Sequence, residues 1–419
     1  MPSRRGRVAV TADRMVDGGR GSAPAPVLLI ENGQIAMVGL RGEPLPPDVE
    51  LVDLGDVTIM PGFVDVHAHL ALDGRPDAAQ RLDEMSDARI LHEMRAAARS
   101  ALYGGITTLR DLGAPRLLGL TARDQLAAGA EPAPHVVAAG PPVTVPGGHA
   151  HYLGGGVAGV REVRTTVREL HEAGVDLIKV MASGGRLTPG SDTSKPQFST
   201  EEMGALVDDA HDLGLPVTAH AYPPAAIEQV VDCGVDGIEH CFFSVDGGLA
   251  PDPELIDRIA AAGTAVCPTL GLVPDWTVPP GFRAFLDVFG QVVSDMRARG
   301  VRLVAGVDSG ALPGKPHDAL PYALIEFARL GMTNAEALYA GTAAASDVCG
   351  LGYRKGALRP GFDADIIAVR GTPLAHIEDV SQVCFVMVGG TVVRDDRGDR
   401  PAPDGTRERP GASTGLSDL

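Results

Sequence analysis

From Gly62 to Gly350 the sequence alternates short apolar runs with stretches of helix-forming residues, and this alternation restricts the fold more than any other feature. The runs are Phe63–Val66, Ile106–Leu109, His135–Ala139, Asp176–Met181, Pro216–Ala219, Gly237–Glu239, Ala265–Pro268 and Arg302–Ala305. Between them, Met85–Tyr103 and Glu162–Ala173 carry apolar residues at helical spacing. Ser199 with Glu202, and Thr333 with Glu336, predict capping boxes that open two more helices. Eight buried-type strands alternating with helices predict an α/β protein with a (β/α)8 TIM barrel, although a doubly wound sheet produces similar alternation.

The two ends read differently. Val27 to Ile30 and Ile35 to Val38 flank Glu31-Asn32-Gly33-Gln34. Asn-Gly there signals a hairpin, because both central residues of a type I′ turn need positive φ. Ala364 to Val369, Val383 to Val388 and Thr391 to Val393 are further strand candidates, with Gly389-Gly390 as a turn. The expected division is therefore a β-rich part over 1–60, the barrel over 61–350, a second β-rich part over 351–395, and a flexible polar tail over 396–419.

Net charge is −18, from 54 acidic and 36 basic side chains, and no basic block stands out against it. Such a field argues against nucleic acid and anionic lipid as partners. No apolar run approaches the roughly 20 residues of a membrane span. The start, MPSRRGRVAV, lacks the apolar stretch and cleavage pattern of a signal peptide. The five cysteines are scattered, odd in number and without a CxxC pair. They read as reduced thiols of a cytoplasmic protein, the alternative being one disulfide plus a spare.

The chemistry gathers at strand ends. In Met60-Pro61-Gly62-Phe63-Val64-Asp65-Val66-His67-Ala68-His69, strand alternation points His67 and His69 the same way. Lys179 follows Leu177-Ile178, His220 follows Val217-Thr218-Ala219, His240 follows Ile238-Glu239, and Asp308 follows Ala305-Gly306-Val307. Each alone has a plainer reading, such as a solvated lysine or a helix-capping aspartate. In a barrel all strands open their carboxyl ends on one face, so the six side chains would converge there on a zinc-type centre.

These residues resemble the amidohydrolase superfamily, as do the Pro-Gly-Phe-Val-Asp-Val-His lead-in and Leu358-Arg359-Pro360-Gly361-Phe362-Asp363-Ala364-Asp365. The resemblance covers nearly the whole chain. It implies that the β-rich ends pair into one small β-sandwich beside the barrel. It also implies two zinc ions per subunit, other divalent metals being possible, bridged by a carboxylated Lys179. His67, His69 and Asp308 would complete one site, and His220 with His240 the other. Metal-activated hydroxide would attack an amide carbonyl, with Asp308 taking the proton and passing it to the leaving nitrogen.

Substrate contacts are expected from three places. Superfamily deaminases usually carry Glu three residues after the strand-five histidine, whereas this chain has Pro223. Tyr222 is instead placed to hydrogen-bond a scissile carbonyl, or else packs as a rim aromatic. The Gly/Pro-rich segment 140–156 reads as a shaped loop offering His149, His151 and Tyr152, with His149 the foremost. Arg186, in a Gly-rich turn, either pairs with a substrate carboxylate or is solvated. Lys179 within Ile-Lys-Val-Met-Ala-Ser-Gly-Gly, the Gly-Gly-His loop and His220-Ala-Tyr222 look like the prolidase-like branch, related to imidazolonepropionase.

The expected substrate is thus a small molecule, a dipeptide such as Xaa-Pro or an N-acyl amino acid. The alternatives are single-metal hydrolysis of a urea, carbamate or cyclic amide, and a non-catalytic scaffold, which the six filled positions disfavour. A homo-oligomer is expected. Phe282, Phe285, Leu286, Val288 and Phe289 form an apolar stripe for an interface or for packing on the barrel itself.

Overall fold

The computed structural model describes residues 6–18, 21–75 and 77–397. Eight parallel strands occupy the middle of the chain: β1 (Phe63–Ala68), β2 (Ile106–Asp111), β3 (His135–Ala138), β4 (Ile178–Met181), β5 (Val217–Ala221), β6 (Gly237–His240), β7 (Ala265–Cys267) and β8 (Arg302–Leu303). They form two arcs, β3-β2-β1 and β4-β5-β6-β7-β8. Backbone hydrogen bonds cross both gaps between the arcs. At one, Val143 N–H donates to Lys179 O at 2.8 Å and Met181 N–H to Val143 O at 2.9 Å. At the other, Asp308 N–H donates to His67 O at 2.8 Å and His69 N–H to Ser309 O at 2.9 Å.

All eight sequence runs are strands. The last is shorter than expected, because the Ala305 N–H turns away to Ala340 O at 2.9 Å. The helix expected at Met85 begins at Asp87, since the Ser86 side chain accepts from Arg89 N–H and caps it there. The helix expected at Glu162 starts two residues earlier, over Val160–Ala173. Both capping boxes are present, Ser199 with Glu202 and Thr333 with Glu336.

The Asn-Gly hairpin joins Pro26–Glu31 to Gln34–Leu40, with φ of 53° at Asn32 and 81° at Gly33. Both strands belong to a four-stranded sheet that also holds Val8–Thr11 and Glu50–Asp53. A six-stranded sheet draws on both chain ends, running Thr391–Asp395, Val383–Val388, Ile366–Arg370, Val57–Pro61, Arg14–Val16, Ser22–Pro24. Leu28 and Ile35 from one sheet share a buried cluster with Ile59, Ile366 and Phe385 from the other. Sequence reading missed five of these strands, which are three to five residues long and lack clear alternation.

Among the described residues no helix is long and apolar enough to cross a membrane. All five cysteines are free. The expected flexible tail lies outside the described residues except for Asp396 and Arg397.

Candidate metal centre and substrate cavity

Ladder register decides which side chains meet at the carboxyl ends of the strands. His220 pairs with Glu239, and Glu239 with Cys267, so these three share one face. Alternation then sends the next residue, His240, to the opposite face. Instead His240 and Cys241 adopt positive φ, 68° and 55°, and this turn brings the imidazole back over the strand end. Asp308 does the same with φ of 64°. Left-handed backbone at non-glycine residues costs on the order of 1 kcal/mol each and concentrates at functional sites.

His67 Nε2 and His69 Nε2 each lie 3.3 Å from the same oxygen, Asp308 Oδ1. The ligand atoms of His67, His240 and Asp308 all fall within 4.8 Å of one another. His220 stands beside them, its ring 4.6 Å from that of His240. Each histidine is anchored through one nitrogen, leaving the other for a ligand. His67 Nδ1–H donates to Glu239 Oε2 at 2.7 Å, and His69 Nδ1–H points to Gly113 O at 3.4 Å. His240 Nδ1 lies 3.0 Å from Thr269 Oγ1, and His220 Nε2–H donates to Gly184 O at 3.1 Å.

Lys179 is 1% exposed, and its Nζ has no hydrogen-bond partner among the described residues. Burial brings its ammonium down to about 8, despite the opposing pull of Glu239 and Asp308. Burial likewise holds His67 at about 4 and His149 at about 3, so both rings are neutral at pH 7. Asp308 stays well below the usual carboxylate range: burial pushes it up, but His67 and His69 overcome this. The imidazoles of His67, His220 and His240, held neutral by burial, and the ionised Asp308 carboxylate suit a divalent cation, whereas Lys179 fits beside it only after losing its proton.

These groups floor a cavity of about 610 Å³. Tyr222, His149, Tyr152 and Arg186 all line it. The Tyr222 ring packs 4.3 Å from that of His220, and burial raises its phenol well above the ordinary value. His149 Nδ1 bonds Thr188 Oγ1 at 3.0 Å, and a Cβ on Gly185 would collide with its ring, so the Gly-rich turn does approach closely. The Arg186 guanidinium sits 5.1 Å over the Phe285 ring at the rim. His151 is the exception among the expected contacts. It is exposed, bonds back to Gly148 O at 3.0 Å, and does not line the cavity, because Ala150 reverses the chain with φ of 54°.

Two neighbours, Glu239 and Lys315, were not legible as site residues, and the apolar stripe was not legible as a cavity wall. Glu239 bonds His67 and also accepts from Arg110 at 2.8 Å and from Thr218 Oγ1 at 2.6 Å. Burial raises this carboxyl, but Arg110, His67 and Lys179 together hold it ionised. Its sequence signal was ladder register with His220, which requires the strand pairing. Lys315 is 6% exposed, donates to Thr269 O at 2.7 Å and lines the cavity from the loop after β8. The apolar stripe lies on the helix Pro280–Ala298, and Phe282, Phe285 and Val288 face this cavity.

The amidohydrolase family model matches residues 58–393. An ochratoxinase from Aspergillus niger is 27% identical over 383 residues, covering 80% of this chain and 75% of its own. The crystal structure of a prolidase complexed with N-methylphosphonate-L-proline is 25% identical with a TM-score of 0.81, covering 93% of this chain and all of that one. A Xaa-Pro dipeptidase crystallised with methionine in its active site covers 93% of this chain and all of that one with a TM-score of 0.82, and at 24% identity speaks to the fold alone. These neighbours imply a TIM-barrel fold with a second domain.

Proposed function

The chain belongs to the amidohydrolase family, and from that premise we propose a metal-dependent hydrolase that cleaves the amide C–N bond of a small dipeptide or N-acyl amino acid. The two strand arcs with their bonded gaps are read as one closed (β/α)8 barrel, and the two β-sheets beside it as a sandwich. The observation that carries the functional reading is the convergence of His67, His69 and His240 with Asp308 beside the orphaned Lys179 Nζ.

His67, His69, His220, His240 and Asp308 would hold two zinc-type ions. Lys179 would join them after its neutral amine forms an N–C bond to CO2 and loses a proton, giving a carbamate anion. When bound, the ions acidify water and polarise the substrate carbonyl. Asp308 Oδ1, in reach of two imidazoles, takes the proton and delivers it to the leaving nitrogen. Tyr222 keeps its proton at neutral pH and donates to the developing oxyanion, and neutral His149 orients the acyl group. Arg186 and Lys315 place cations around the cavity, which favours a substrate carrying a carboxylate over a neutral urea or carbamate.

Glu239 fixes the tautomer of His67. Glu239→Gln is expected to weaken divalent-metal affinity roughly 10- to 100-fold, read as ion retained per subunit on dialysis. It should also destabilise the fold by about 3 kcal/mol in urea unfolding, since Arg110 loses its buried partner charge. The defining experiment measures metal per subunit on chelator-free protein beside hydrolysis of a dipeptide and N-acyl amino acid library. About two ions with turnover supports the proposal. One ion shifts the assignment to single-metal chemistry, and no ion with no activity after reconstitution removes the catalytic reading.

A further inference from the structure

A second cavity, of about 660 Å³, lies behind the wall of the first. Phe242, Thr269, Phe282, Phe285 and Lys315 line both. The wall between them is thus made of three phenylalanines, one threonine and one lysine. Trp276 and Phe289 extend the aromatic surface into the second chamber, and apolar Leu270 and Val273 face it.

Aromatic residues are scarce in this chain, at 4% of the sequence. Yet eight of its seventeen Phe, Tyr and Trp side chains line these two cavities. The rings meet edge to face, Phe242 to Phe285 at 5.0 Å and Phe242 to Phe289 at 4.8 Å. Trp276 and Phe282 make a similar contact at 6.1 Å. Phe282 and Phe285 stack on each other at 6.1 Å and Arg186 lies over Phe285, yet both rings are only half-buried and leave part of their surface exposed where they line the cavities. A core needs no such exposed ring surface, whereas a binding chamber for another ring does.

We infer that the second chamber is a specificity subsite for an aromatic ring carried by the substrate, reached past Phe242, Phe282 and Phe285. Lys315 stands at the same wall, so the substrate class is an amide bearing both an aromatic ring and a carboxylate, such as an N-acyl aromatic amino acid. This rests on the amide-hydrolase reading above. The ring contributes binding from a part of the molecule that does not react, which positions the amide over the floor of the first cavity.

Trp276 is the single tryptophan of the chain and lines the chamber, so it reports occupancy without turnover. In metal-loaded Asp308→Asn protein, N-acetylphenylalanine should shift tryptophan emission saturably while N-acetylalanine leaves it unchanged. No shift with either probe, or equal shifts with both, overturns the subsite. In a second arm, Phe285→Leu should lower the ratio of kcat/KM for N-acetylphenylalanine over N-acetylalanine by about five- to tenfold. That ratio does not depend on the fraction of folded enzyme, and a ratio within about twofold of wild type rejects the proposal. Wild-type protein that hydrolyses neither compound nor any member of the dipeptide and N-acyl amino acid library refutes the amide-hydrolase reading, and the emission arm then decides the subsite alone.

Discussion

Asp308→Asn is expected to lower kcat by about four orders of magnitude while KM changes little, at the upper end of what general acid–base catalysis supplies. The carboxylate oxygen at stake is the one 3.3 Å from both His67 Nε2 and His69 Nε2. The amide keeps the size and one oxygen, so packing and substrate binding persist. Asn also tolerates the left-handed backbone that this position demands, at φ of 64°. Loss of the negative charge removes the proton acceptor. Steady-state kinetics beside a binding titration checks the split: a variant that binds substrate as wild type does but turns over no more than tenfold slower would give the proton transfer to another group.

Lys179→Ala is the second large effect. It should lose at least one ion per subunit and cut kcat/KM by about a thousandfold, with partial return of both on adding a short carboxylate such as acetate or propionate. The reasoning starts from an unusual site: a lysine 1% exposed whose Nζ meets no hydrogen-bond acceptor among the described residues. An unmodified ammonium there would crowd a cluster that is meant to attract cations. Carboxylation converts the same atom into an anionic ligand. The removed side chain leaves a cavity, so thermal unfolding must be followed in parallel to separate metal loss from collapse. A Lys179→Ala protein with full metal and full activity would eliminate the bridged two-ion arrangement.

The six proposed ligand positions were legible as candidates because each is a local event. A short apolar run fixes a strand, and the next ligand-type residue marks its end, as with Lys179 after Leu177-Ile178. The hairpin at Asn32-Gly33 and the capping boxes at Ser199 and Thr333 were legible for the same reason: their signals span four residues. His151 was misread because adjacency to His149 says nothing about direction, and the left-handed Ala150 between them turns one ring inward and the other to solvent.

Sequence alone therefore determined the alternation of elements, the family resemblance and the residue types offered at each strand end. It did so because hydrophobic period and turn chemistry are properties of neighbouring residues. Tertiary structure decided the rest. Glu239 becomes the partner of His67 and Arg110 only when strands 172 and 129 residues apart in sequence close on each other. His240 joins the cluster only through a positive-φ turn that strand alternation does not foresee. Lys315 and the phenylalanine wall acquire a role only when a loop and a helix fold over the same opening. Contacts between distant segments depend on register, twist and packing of the whole chain, and no local window contains them.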